Sequence, residues 1–280
     1  MRIHFIGICG YAVSGLALVA KQLGHDVTGS DEDAYPPTTE ILTRAGIKWV
    51  DGHAAGNVMR WGKPDLVVQG NQVREGNPET EAARRHHIRL VSEAEYWGEL
   101  TADRFRIVVA GSAGKTTTAS LIAWILRAAG RNPGFRLGMT ARDLGSAAAW
   151  GTGREFVFEG DEYTSAVFDP RPKFLHFAPQ LAVLTNIDWD HPDVFPDPAS
   201  YEAAFRQLRQ QINQGRQERR WPRPLLRPPL PSPRRKAAPQ LHPRRPRGAN
   251  RPPSRDLRPR SSKPDRSWKP PRPCRASAAS

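Results

Sequence analysis

Cysteine is almost missing from this chain: 280 residues contain two, Cys9 and Cys274, near opposite ends. No disulfide framework or thiol metal site can be spaced from that pair, and such usage fits a reducing cytoplasm. Long apolar runs are missing too; none approaches the roughly 18 residues of a membrane-spanning helix. The start, "MRIHFIGICGYAVSGLALVAKQLGHD", is broken by glycines at turn spacing. It has no small-residue cleavage site and ends in an amphipathic pattern, so a secretory signal is not expected. These absences predict a cytoplasmic protein with no membrane partner.

Acidic residues are outnumbered 28 to 42. Spread evenly, that excess would point to nucleic acid. It is not spread evenly. Residues 214–280 hold 20 Lys and Arg against 3 Asp and Glu, whereas residues 1–213 hold 22 against 25. The first three quarters read as a slightly acidic soluble protein, and the basic excess belongs to the last quarter.

Residues 1–100 alternate buried-strand runs with helical patterns. "RIHFIGI", "HDVTGSD", "IKWV", "DLVVQG" and "IRLVSE" read as strands; "AVSGLALVAKQLG", "TTEILTRAG" and "NPETEAARRHH" read as helices. That alternation predicts an α/β unit with a Rossmann-like parallel sheet covered on both faces. A second unit, 101–213, opens with the strand "RIVVAG", a Gly-rich turn and the helix "KTTTASLIAWILRAAG". "EFVFEGDEY" and "LAVLTNIDWDH" are two further strands with polar C-terminal ends, and "PASYEAAFRQLRQQI" is a helix. This predicts an incomplete P-loop α/β domain.

At Asn213 the pattern stops. Residues 214–280 carry 16 of the 27 prolines, interleaved with arginine as in "PRPLLRPPLPSPRRK". No period of 2 or 3.6 remains, so the segment cannot bury a core and is expected to be disordered. One reading is a basic tail that binds nucleic acid nonspecifically. The other is a non-native, out-of-frame end, because GC-rich sequence read out of frame yields Arg, Pro, Ala and Ser. The abrupt change after an unfinished domain favours the second.

The chemistry concentrates in three strand ends. In "GSAGKTTT", Gly111, Ser112, Ala113 and Gly114 form a four-residue turn between strand and helix. Backbone N–H groups there and at the helix start point at an anion. Lys115 reaches a β/γ-phosphate, and the Thr116 hydroxyl suits Mg2+. The plainer reading, a Gly-rich turn with an incidental Lys-Thr, is weakened by the strand before and the helix after. Glu159 ends a strand, where a P-loop protein places a carboxylate for Mg2+. Asp161 and Glu162 could share that role. Asn186, Asp188, Asp190 and His191 close another strand, and His191 beside carboxylates is a metal-ligand candidate. Open α/β sheets bind ligands at this edge. The N-terminal Gly7, Gly10 and Gly15 are spaced G-x-x-G-x-x-x-x-G, a weak nucleotide signal. The second strand, however, ends in Ser30-Asp31, where a ribose or uracil partner commonly sits.

In order, "GICG…SGLA…LGHDVTGSD", "AGSAGKTTT", "FEGDEY" and "NIDWDH" resemble the Mur ligases over about residues 1–212. These ATP-dependent enzymes add amino acids or peptides to UDP-N-acetylmuramate. Their short loop, G-T-x-G-K-T-T, matches the spacing here. "DEDAYPPTTEIL", "GNPETEA", "DEY" and "FDPRPKFLHFAP" are most similar to the branch that uses the murein tripeptide L-Ala-γ-D-Glu-meso-diaminopimelate. The branch that adds L-alanine is the runner-up.

The resemblance implies that ATP phosphorylates the muramate carboxylate, the amine attacks the acyl phosphate, and phosphate leaves from a tetrahedral intermediate. It implies that Gly111, Ser112, Ala113, Gly114, Lys115, Thr116 and Thr117 cradle ATP, with Lys115 neutralising the transferred group and Asn186 near the adenine. Thr116 and Glu159 would hold one Mg2+, and Glu159 with His191 a second. Lys115, Glu159 and His191 would be the catalytic set. Gly7, Ile8, Cys9, Gly10, Ser30 and Asp31 would help hold the UDP-sugar. A monomer is expected. Three residues depart from the family: Ser112 for Thr, Ala113 for His or Asn, and Gly160 for Ala. The family also has a longer central domain and a third domain that contacts adenine and binds the incoming amine. No turnover by this chain alone is therefore expected, and its second sheet should show an open edge and bare apolar surface.

Overall fold

Strand-forming runs alternate with helices from the first residue, and two mainly parallel sheets result. The computed structural model describes residues 1–218, with side chains through 212. In the first sheet, β1 (Arg2–Ile6), β2 (Asp26–Asp31), β3 (Lys48–Asp51), β4 (Leu66–Gln69) and β5 (Arg89–Ser92) run in the order β3-β2-β1-β4-β5. Every pairing is parallel. The helices are α1 (Tyr11–Gln22), α2 (Thr38–Arg44), α3 (Pro78–Arg85) and α4 (Glu93–Leu100). Strand order reverses between β1 and β4, so the loop after β1 opens at the switch point, where such sheets take ligands.

The second sheet is built from β6 (Phe105–Ala110), β7 (Gly134–Ala141), β8 (Ser146–Ala149), β9 (Glu155–Gly160) and β12 (Leu181–Leu184), in the order β12-β6-β9-β7-β8. Only the β7–β8 pairing is antiparallel. A hairpin of β10 (Thr164–Ala166) and β11 (Asp169–Pro172) stands apart; α5 (Lys115–Ala128) follows β6, and α6 (Pro198–Glu218) closes the described chain. Helix α6 runs five residues beyond the expected stop at Asn213, where Gln, Arg and Glu favour the helix despite Gly215. Apart from this helical overlap, the disordered, basic tail expected for 214–280 lies outside the described residues.

The two sheets sit in one compact unit and share a core. Trp97 of α4 packs on Phe156 and Phe158 of β9, with ring centroids 5.3 and 6.1 Å away. The expected amphipathic α1 is instead buried along most of its length, at Val13, Ser14, Gly15, Leu16, Ala17, Val19 and Ala20. The cause is a second partner. Besides its own sheet, α1 packs on β7 and β8. The approach is so close that a Cβ on Gly15 would lie 3.0 Å from Ala148 Cβ.

Among the described residues β12 is an outer strand of this sheet, and its Leu181 and Leu184 are exposed. Helix α5 likewise exposes Leu121, Trp124 and Ile125 along one face. No described helix is long and apolar enough to cross a membrane.

Candidate functional site

Three parallel strand ends converge on the Gly-rich turn. Strand β6 runs into it, β9 lies on one side and β12 on the other. Gly111 has φ +132°, and a Cβ there would lie 2.5 Å from Asn186 O, so the chain can cross β12 only with glycine. Gly114 (φ +80°) is the N-cap of α5, with no side-chain cap and no acidic residue in the first turn. A 14-residue helix therefore presents its positive end to the turn with no acidic residue of its own to offset it.

Lys115 folds back over this turn. Its Nζ donates to Gly111 O at 2.7 Å, Ser112 O at 3.3 Å and Glu162 Oε1 at 2.9 Å, which uses all three ammonium protons. Thr116 Oγ1 donates to Glu159 Oε1 at 2.7 Å, and Gly138 N donates to Glu159 Oε2 at 2.6 Å. A Cβ on Gly138 would lie 2.8 Å from Glu159 Oε1, so glycine gives that carboxylate its room. Thr117 is exposed in the first turn of α5.

The other sequence-selected residues tie β12 to the turn. Asn186 Oδ1 accepts from Ala113 N at 2.9 Å, and Thr185 Oγ1 donates to Ala113 O at 2.7 Å. Ala113 is thus gripped through its backbone while its methyl group is exposed. Ser112 Oγ accepts from Asp188 N at 2.9 Å and lies 3.0 Å from the Tyr201 hydroxyl. The serine at this departure from the family keeps a hydroxyl and uses it to hold the β12 loop and α6.

His191, which the resemblance sets with Glu159 at a second Mg2+, contacts Glu162 here. His191 Nε2 lies 3.1 Å from Glu162 Oε1, and its ring packs on Tyr163 at 4.4 Å. Among the described residues, no group of three or more His, Cys, Asp or Glu is arranged for a metal. Glu162 is the residue the sequence underrated. It is fully buried, grips both Lys115 and His191 through Oε1, and leaves Oε2 buried without a partner. Burial raises its pKa, against the pull of Lys115. Asp161 pairs with Lys173 at 2.8 Å; burial raises its pKa, but that ammonium holds it down overall. The Asp161–Lys173 clasp closes the base of the β10–β11 hairpin. Lys173 N donates to Tyr163 O at 3.0 Å, which sets Glu162 between fixed neighbours.

Hard oxygen donors are what Mg2+ requires. Thr116 Oγ1 and the Glu159 carboxylate supply them side by side.

At the first sheet, the loop after β1 is closed by β2. Ser30 O accepts from Gly7 N at 2.9 Å and from Ile8 N at 3.0 Å; Asp31 Oδ2 accepts from Cys9 N at 2.6 Å. Gly10 N donates to Gly7 O at 3.2 Å. Ser30 therefore acts on the loop through its carbonyl, because its hydroxyl is turned inward. Burial first, then Asp31 and Asp51, push the Cys9 thiol up to about 12, so it stays neutral.

Residues 2–105 match the Mur ligase family catalytic domain, and residues 109–217 match the Mur ligase middle domain. A solved Neisseria meningitides UDP-N-acetylmuramate:L-alanyl-γ-D-glutamyl-meso-diaminopimelate ligase superposes with a TM-score of 0.71 at 36% identity, over 75% of this chain and 68% of that one. The chain belongs to the Mur ligase family. The Escherichia coli UDP-N-acetylmuramate–L-alanyl-γ-D-glutamyl-meso-2,6-diaminoheptandioate ligase is 41% identical over 209 residues, 74% of this chain and 45% of that protein. A UDP-N-acetylmuramate–L-alanine ligase of Roseiflexus sp. is 39% identical over 215 residues, 76% of this chain and 44% of its own length. This Mur ligase chain thus spans about 45% of the curated relatives it matches.

Proposed function

We propose that this chain carries the two nucleotide sites of a ligase that joins UDP-N-acetylmuramate to the murein tripeptide L-Ala-γ-D-Glu-meso-diaminopimelate. The convergence of Lys115, Thr116 and Glu159 on the uncapped start of α5 carries the reading. ATP lies along Gly111–Thr117, where N–H groups and the Lys115 ammonium face its phosphates. For this, Lys115 must leave Gly111 O and Ser112 O. Mg2+ held by Thr116 and Glu159 would neutralise phosphate charge when bound. His191, anchored on Glu162, stands at the β12 side of the same edge. The Gly7–Gly10 loop, held by Ser30 and Asp31, takes the UDP-sugar. The residues named here position and neutralise charge, and phosphoryl transfer relies mainly on those two effects. A cytoplasmic setting follows from those soluble substrates.

The L-alanine-adding ligase is the second reading, supported by the similarity to the Roseiflexus sp. relative. Calorimetric titration with ATP–Mg2+ and with UDP-N-acetylmuramate tests both sites, and absence of both heats would sink the proposal. Phosphate release is then followed with tripeptide or with L-alanine. Tripeptide-dependent release is the outcome that supports the first reading, and L-alanine-dependent release the outcome that supports the second.

A further inference from the structure

One buried carboxylate has no part in the chemistry above. Glu79, in the first turn of α3, has a fully buried side chain. A carboxylate survives there only if its oxygens are fully hydrogen-bonded. Five donors reach it. Oε2 accepts from His4 Nε2 at 2.8 Å and from Ser30 Oγ at 2.7 Å. Oε1 accepts from Asn57 Nδ2 at 2.7 Å, and from Ala54 N and His53 Nδ1 at 3.2 Å. The donors come from β1, from β2 and from the segment after β3. Asn77 caps α3 and accepts from Glu79 N at 2.9 Å, so the carboxylate also sits at the favourable end of a helix.

The acceptor-only carboxylate fixes the tautomers. His4 carries its proton on Nε2, so a neutral His4 accepts from Thr28 Oγ1, 3.0 Å from Nδ1. His53 carries a proton on Nδ1, which is also 3.1 Å from Ser30 Oγ.

Ser30 joins this network to the substrate loop. Its hydroxyl is held by Glu79, while its carbonyl takes the N–H groups of Gly7 and Ile8. The residue before it interlocks with the same loop: a Cβ on Gly29 would lie 2.6 Å from Ile8 Cδ1 and 2.7 Å from Phe5 O. We infer that Glu79 is a positioning residue for the Gly7–Gly10 loop, acting through Ser30. The identity of the loop's ligand rests on the functional reading above; the coupling of Glu79 to the loop does not.

Glu79→Gln keeps the size and removes the charge, and it turns an NH2 group toward donors. Hydrogen exchange of the full chain reads the result. Peptides covering residues 5–12 should exchange about tenfold faster in Glu79→Gln, because hydrogen bonds that resist local opening are weakened. Ser30→Ala, which removes only the link, should act in the same direction. Peptides covering 111–118 should be unchanged in both. UDP-N-acetylmuramate should bind about tenfold more weakly, with ATP affinity unaltered. Unchanged exchange at 5–12, or an equal rise at both loops, would overturn the inference. If Glu79→Gln does not fold, Ser30→Ala decides alone. Selective loosening of 5–12 in a chain whose wild type binds no UDP-N-acetylmuramate would support the positioning role and reject the ligand assignment.

Discussion

Lys115 and Glu162 form an ion pair at 2.9 Å in which the carboxylate is fully buried and the ammonium is 14% exposed. The same carboxylate oxygen holds His191, so two strand ends and the helix start share one anionic anchor. Lys115→Ala removes both the phosphate partner and the main counter-charge of Glu162. ATP should bind roughly 10- to 100-fold more weakly, the worth of a charge-assisted hydrogen bond. Unfolding free energy should fall by about 2–3 kcal/mol, since one partner of the pair keeps some solvent. Titration calorimetry and urea unfolding measure the two effects, and unchanged ATP affinity would remove Lys115 from the phosphate site.

Gly111→Ala should destabilise the turn by about 1–3 kcal/mol, from a left-handed backbone carrying a side chain. The new methyl group would also push against Asn186 O, at 2.5 Å. The urea midpoint should drop and ATP binding should be lost with it. A variant with wild-type stability would show that β12 can yield there.

The Glu79 network gives stability a definite pH dependence. Burial pushes its carboxyl up, but hydrogen bonds from His4, His53 and Asn57 outweigh that and hold it at about 2. A carboxylate depressed in the folded state stabilises above its ordinary range, and that stability is lost as pH falls toward 2. The size is about 3 kcal/mol. His53 moves the other way: burial lowers its pKa, but the Glu79 hydrogen bond and charge raise it overall. Its contribution is present below the ordinary histidine value and is lost as pH rises through the raised one. Histidine and acidic neighbours face the cluster as well, His4 from β1, and Asp31 and Glu32 at the end of β2. Urea unfolding of wild type and Glu79→Gln near pH 3, about pH 5.5 and about pH 8 should show the widest gap in the middle. A gap that does not vary with pH would contradict this.

Arg136 ties the sheets together. Its Nε lies 3.2 Å from Glu93 Oε1, both side chains are buried, and its Nη1 donates to Glu159 O at 3.2 Å. Arg136→Met should cost about 3–5 kcal/mol by stranding Glu93. Arg136→Met combined with Glu93→Gln should recover at least about half of that loss. A double-mutant cycle followed by chemical denaturation checks it, and additive losses would mean the pair is not coupled.

Most of the fold was legible where a run of Val, Ile or Phe met a Gly turn and a periodic helix, as at Arg106–Leu126. What escaped had no such contrast. β7 contains Gly134, Arg136 and Gly138, and β8 is Ser-Ala-Ala-Ala, so neither offers strand periodicity. Helix α4 had a readable start, Ser92 capping Glu95 N at 3.1 Å, but its Trp97 packs on Phe156 and Phe158 of the other sheet. At the site, loop spacing pointed to Lys115, Thr116 and Glu159. It could not assign Glu162, because partners on α5 and beyond β12 are set by tertiary packing. Glu79 looked like an ordinary first-turn acid, and only the folded chain gathers His4, Ser30, His53 and Asn57 around it.

Trp97 lies across the junction of the two sheets, against Phe156 and Phe158. A cut at residue 104, natural by chain order, would leave an indole uncovered on one piece and two phenyl rings on the other. The halves are modular in sequence and inseparable in solvent. Swapping either one for a relative's would require the aromatic seam to travel with it.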